Sequence, residues 1–123
     1  MRKLTRALIA GAVGTGIVLA GTPAYATAAT CHLGRWDTSC TSGIVWNNPA
    51  GHWVDYHIDF YSGNYAVSWQ IVDVDTGATV RSGRQIGGST SGTVTGLYGR
   101  YRLKMQKGLL NGGADGVLEN ELP

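Results

Sequence analysis

The stretch from Trp53 to Tyr61 alternates without a break. Val54, Tyr56, Ile58 and Phe60 fall on one side, and Trp53, Asp55, His57, Asp59 and Tyr61 on the other. A period of two is the signature of a strand with one face buried. Such a strand cannot bury that face alone, so the rest of the chain has to supply a second layer. Tyr98–Met105 repeats the pattern, with Tyr101, Leu103 and Met105 opposite Arg100, Arg102 and Lys104. In Tyr65–Val74 the residues Tyr65, Val67, Trp69 and Ile71 share a face, but Val72 and Val74 fall on the other. A phase change of this kind predicts a bulge or a strand that changes sheets.

Further strands are expected at Gly43–Trp46, Ala78–Ser82, Thr93–Leu97 and Val117–Glu121. The 19 glycines break the chain into runs too short for helices, and no helical period stands out. Asp75-Thr76-Gly77 reads as a turn, residues 87–92 as a flexible loop and residues 111–116 as a second turn cluster. Short strands at this spacing predict an all-β fold, a small antiparallel β-sandwich or small barrel. Its expected core includes Val54, Tyr56, Ile58, Phe60, Trp69, Tyr101 and Leu103.

The first residues read differently. Arg2, Lys3 and Arg6 precede the apolar run Ala7–Ala20, and Ala24-Tyr25-Ala26 supplies a small-x-small cleavage site. This predicts a cleavable secretory signal over residues 1–26 and a single β-rich domain over 27–123. The apolar run is shorter than the roughly 20 residues of a membrane span. No cysteine follows Leu19-Ala20-Gly21 and no Leu-Pro-x-Thr-Gly sorting signal occurs, so the expected location is secreted and extracellular. Three of the ten basic residues leave with the leader, and the rest faces eight acids. The remaining domain is close to neutral, which argues against nucleic-acid binding. Cys31 and Cys40 are the only cysteines, and an oxidising destination predicts one disulfide between them.

Catalytic motifs are absent or incomplete. Val74-Asp75-Thr76-Gly77-Ala78 resembles the aspartic-protease signature over five residues. That chemistry needs two carboxylates sharing a proton, and Asp-x-Gly is also hairpin-turn chemistry, the reading adopted here. Neither Gly-x-Ser-x-Gly nor His-Glu-x-x-His occurs. Glu119 and Glu121 read as part of a solvated face. No enzyme activity and no cofactor are expected.

Two surfaces remain as candidate sites. The first is the outward row Trp53, Asp55, His57, Asp59 and Tyr61. Aromatic faces suit sugar C–H groups, carboxylates and imidazole suit hydroxyls, and the row spans roughly 26 Å. It predicts a non-catalytic binding module for an extracellular polysaccharide or cell-wall polymer. Asp55, His57 and Asp59 are also zinc-ligand types, but no other His is placed to complete a set, so no metal is expected. The second is the cystine loop 31–40 with Arg35 and Trp36, residue types enriched at binding hot spots. It offers an alternative, a proteinaceous inhibitor of a secreted hydrolase. Trp36 has two possible placements, folded over the core edge or presented to a partner. Between Arg81 and Lys107 lie six basic residues and no acid. They either pair with acids across the sheet or form a basic face for anionic wall polymers.

Overall fold

A computed structural model describes residues 27–61, 65–108 and 112–121. The predicted signal, residues 1–26, lies outside the described residues. Nine strands are present: β1 (Ala28–Leu33), β2 (Ser39–Thr41), β3 (Val45–Trp46), β4 (Trp53–Phe60), β5 (Val67–Asp73), β6 (Thr79–Gln85), β7 (Gly88–Thr95), β8 (Arg100–Gln106) and β9 (Ala114–Glu119). No helix of the described residues is long and apolar enough to cross a membrane.

The strands form two antiparallel sheets, one in the order β1-β9-β4-β7 and the other β2-β8-β5-β6, with β3 also paired to β8. The fold is therefore all-β, a sandwich rather than a closed barrel. Apart from the β2–β3 link and the β5–β6 hairpin, each connection leads from one sheet to the other. Leaving β3 aside, this is the strand order of a jelly roll, two interleaved Greek keys.

The alternation in the sequence decides which side of each strand is buried. Val54, Tyr56, Ile58 and Phe60 of β4 face Ile71, Trp69, Leu103, Met105 and Tyr101 of the other sheet, and all are buried. Leu33, Ile58, Ile71, Leu103 and Leu118 are fully enclosed. Burial of each contributes about 1.5–3 kcal/mol relative to exposure. The phase change in β5 is a register shift between Ile71 and Val72, where β6 passes from Arg81 to Thr79.

Cys31 of β1 is bonded to Cys40 of β2, with their Cα atoms 5.7 Å apart. These strands belong to different sheets, so the bridge staples one layer to the other as well as closing a loop. Several segments expected to be irregular are strands. Residues 88–92, expected in a flexible loop, belong to β7, which pairs with β4 along its full length from Trp53↔Thr95 to Phe60↔Gly88. Ala114-Asp115-Gly116, assigned to a turn, opens β9 and pairs with both β1 and β4. His32 and Leu33 end β1 and Ser39 begins β2, so only residues 34–38 of the cystine segment are loop.

At the open side between β6 and β7 two glycines admit two large core rings. A Cβ on Gly83 would lie 2.7 Å from the Trp69 ring, and one on Gly92 would lie 2.7 Å from the Tyr56 hydroxyl. The rings themselves meet at 5.0 Å between centroids. Arg81 closes this seam. Its Nη1 donates to the Tyr56 hydroxyl at 3.1 Å, its Nη2 donates to the Thr93 carbonyl, and its guanidinium lies over the Tyr56 ring.

Candidate functional site

β4 is a central strand of its sheet, flanked by β7 and β9, so its outward row stands in the middle of an open face. The strand register places hydroxyl residues beside it. Thr95, Thr93, Ser91 and Ser89 of β7 lie next to Trp53, Asp55, His57 and Asp59 in turn. On the other side Glu119, Val117 and Asp115 of β9 lie next to Asp55, His57 and Asp59, and His32 of β1 lies beyond Asp115. Trp53, Asp55, His57 and Asp59 thus share one strand face, as the period of two requires, and Tyr61, one residue past the end of β4, reaches that face through its bond to Asp115.

Their surroundings differ along the row. Trp53 follows a turn held by Asn48, whose Oδ1 accepts from the backbone N–H of Ala50 and Gly51 at 2.9 and 2.8 Å. Trp53 is half-buried, with its indole over Gly51. Asp55 accepts from Thr93 Oγ1 at 2.6 Å. One oxygen each of Asp55, Glu119 and Glu121 lies within 4.8 Å of the others, a spacing that a hard cation could bridge. Three acids alone do not make such a site. Glu119, expected on a solvated face, is only 6% exposed, because β9 runs between β1 and β4. Burial pushes the Asp55 carboxyl above its ordinary range. A hydrogen bond shared with Glu121 and the charges of Glu121 and Glu119 push it the same way, while the Thr93 bond works against them.

Further along, His57 Nε2 lies 3.0 Å from Asp59 Oδ1. Asp115 is the centre of a second cluster. Tyr61 donates to its Oδ2 at 2.6 Å, and His32 Nδ1 bonds its Oδ1. Asp59 and Asp115 stand directly opposite each other, an unfavourable placement for like charges. Each has an imidazole nitrogen within hydrogen-bonding distance. Partial burial tends to raise the Asp115 carboxyl, but the bonds from Tyr61 and His32 and the charge on His32 outweigh it and hold the group below its usual value. In return, the hydrogen bond to Asp115, followed by its charge, raises the His32 imidazole. The Tyr61 phenol is pushed up to about 12, mainly by its bond to Asp115.

His32 and Asp115 were missed as neighbours of the row. The signal was present in the alternation of Cys31, Leu33 and of Ala114, Gly116, Leu118, which turns His32 and Asp115 outward. It was obscured because both stretches were read as loop or turn.

The alternative loop is separate from this face. Arg35 and Trp36 occupy a turn closed by the Asp37 N–H to Gly34 carbonyl bond at 3.1 Å and by Asp37 Oδ2 accepting from Gly34 N–H. Trp36 is 72% exposed, with the Arg35 guanidinium 5.6 Å from its ring, so it does not fold over the core edge. The Asp-Thr-Gly segment is a turn in which Asp73 Oδ1 accepts from the N–H groups of Asp75 and Thr76. Asp75 is paired with Arg100, which holds its carboxyl low.

No family model matches this chain, and no curated protein matches it in sequence. Among solved structures it is similar to the pre-peptidase C-terminal domain of a collagenase from Bacillus anthracis, at TM-score 0.55 and 13% identity over 76% of this chain and 88% of that one. That likeness shows a shared fold. Fainter likenesses include a CBM4 structure, at TM-score 0.45 and 8% identity over 70% of this chain and 59% of that one. Another is TmCBM61 in complex with β-1,4-galactotriose, at TM-score 0.37 and 18% identity over 75% and 66%.

Proposed function

We propose that this chain is a secreted, non-catalytic binding module whose outward β4 row holds a neutral, hydroxyl-rich glycan of the cell envelope or surroundings. The observation that carries this reading is the row itself. Trp53 opens β4 and Tyr61 follows its last residue, with Asp55, His57 and Asp59 between them and the β7 hydroxyls alongside. A few convergent polar groups among apolar ones fix a ligand's orientation. The acids of β4 and β9 make an anionic polymer a poor ligand for this face. The Cys31–Cys40 bridge suits an extracellular destination.

The test is retention of the secreted protein on insoluble neutral polysaccharides and purified cell wall. Trp53→Ala combined with Tyr61→Ala is expected to abolish retention while leaving the circular dichroism spectrum unchanged. A folded double variant retained as well as the wild type defeats the proposal, as does a wild type that no glycan retains.

A second reading has one observation in its favour, the exposed Arg35–Trp36 pair on a loop fixed by the disulfide. If the protein inhibits a secreted hydrolase through this loop, Arg35→Ala and Trp36→Ala will remove inhibition with little change in melting temperature.

A further inference from the structure

The opposite face of the sandwich has the reverse character. On β8 the outward side chains are Arg102, Lys104 and Gln106, on β5 they are Ser68, Gln70 and Val72, and on β6 they are Ser82 and Arg84. With β2 they form two registered rows, Ser39–Gln106–Ser68–Arg84 and Thr41–Lys104–Gln70–Ser82. The strands shape an open groove of about 600 Å³ lined by hydroxyl and amide groups of these rows and by Lys104, with Arg84 and Arg102 beyond its lining on the same sheet face. Lys104 and Arg84 are exposed, and no described carboxylate pairs with either. Arg102, half-buried, adds a third cation one row along; its Nε–H is buried without an acceptor among the described residues. The six basic residues between Arg81 and Lys107 therefore do not neutralise neighbouring acids as a set. Arg100 pairs with Asp75, Arg81 seals the seam, and Lys107 is buried with its Nζ donating to the Arg35 carbonyl at 2.9 Å. Arg84, Arg102 and Lys104 stay on one open face. The acids Asp55, Asp59, Asp115 and Glu119 occupy outward positions of the other sheet.

We infer that this groove is a second binding site, for a linear glycan that bears carboxylates, a polyuronate. It is distinct from the β4 row and stands or falls separately. The cations supply the attraction. Lys104 and Arg102 are roughly 7 Å apart as i and i+2 positions, and Arg84 lies two strands, roughly 10 Å, across the sheet from β8. They can therefore meet separate carboxylates along an extended chain, and a planar guanidinium matches a carboxylate in two-point geometry. The hydroxyls of Ser39, Thr41, Ser68 and Ser82 and the amides of Gln70 and Gln106 supply donors and acceptors for the sugar hydroxyls between those carboxylates. A bare phosphodiester chain offers acceptors only and would leave the amide carbonyls of Gln70 and Gln106 without a donor. No Tyr or Phe lines the groove and Trp69 points inward, so the grip is polar and sensitive to salt.

The probe is oligogalacturonate, with neutral galactan, poly(glycerol phosphate) and the protein itself as comparisons. Wild-type protein is expected to bind oligogalacturonate at low ionic strength and to lose at least tenfold in affinity at physiological salt. Arg84→Gln combined with Lys104→Gln should lose at least tenfold at low salt, with unchanged circular dichroism and unchanged retention on whichever neutral glycan the wild type binds. Because Trp53 and Tyr61 lie on the other sheet, their double substitution should leave oligogalacturonate binding intact. No binding by the wild type overturns the inference. So does equal binding by the Arg84/Lys104 variant, or tighter binding to poly(glycerol phosphate). Self-association at low salt that the same substitutions abolish and oligogalacturonate does not displace would assign the face to a second copy instead.

Discussion

Asp115 is bonded to His32 and Tyr61 at once, and each bond shifts the titration of both its partners. Removing its charge tests the cluster. In Asp115→Asn the Tyr61 phenol, otherwise pushed up to about 12, is expected to fall toward its ordinary value of 10 in an absorbance titration, and His32 toward 6.5 by NMR. If neither moves, the cluster is not formed in solution. Asp55 makes the opposite case. Its folded-state pKa is raised, chiefly by burial and then by Glu121 and Glu119, so the folded protein holds a proton that the unfolded chain gives up sooner. The stability linked to that proton is complete below the ordinary value of 3.8 and is lost as pH rises through the folded value. Asp55→Asn should therefore raise the melting temperature at neutral pH relative to wild type, and the gain should vanish in acid. A gain that persists in acid would have another cause.

At the scale of single elements, β7 shows how a strand can escape sequence reading. Gly88–Thr95 has one large apolar residue, Val94, and its Ser, Thr and Gly content is that of a loop. It is held in the sheet by its ladder to β4 and by the ring of Tyr56 resting on Gly92. What looked like flexibility is space reserved for a side chain on another strand. Gly92→Ala and Gly83→Ala are each expected to destabilise by about 1–3 kcal/mol, the cost of overpacking, measured by denaturant unfolding. Variants as stable as wild type would show that the two rings can move aside. β4 and β8 were legible because a period of two survives wherever one face is apolar, and Ile58→Ala should cost about 2–5 kcal/mol as a core position. β1 was not legible and β9 was legible only from Val117 onward, because alanine, glycine and cysteine serve among their inward residues. The outward β4 row was legible from β4 alone. The carboxylate and imidazole clusters were not, since each depends on which strand lies alongside, and that is a property of topology.

For the whole molecule, the disulfide and the charge distribution set the terms. The bridge closes a short ring, for which loop entropy predicts about 2.5–3 kcal/mol. Cys31→Ala with Cys40→Ala should lower the melting temperature by roughly 10–20 °C in a domain of this size. A change of only a degree or two would mean that the two layers hold together without the staple. The placement of charge has a consequence of another kind. A domain with nearly balanced charge feels little net pull toward a charged wall, but opposite signs on its two broad faces give it a dipole, and a field exerts torque on a dipole. At physiological ionic strength that field reaches only about 8 Å into solution, less than the roughly 10 Å between two packed sheets. The molecule therefore tumbles freely until its last step of approach. There it rotates to bring Arg84, Arg102 and Lys104 against an anionic matrix, leaving Trp53 and Tyr61 turned outward.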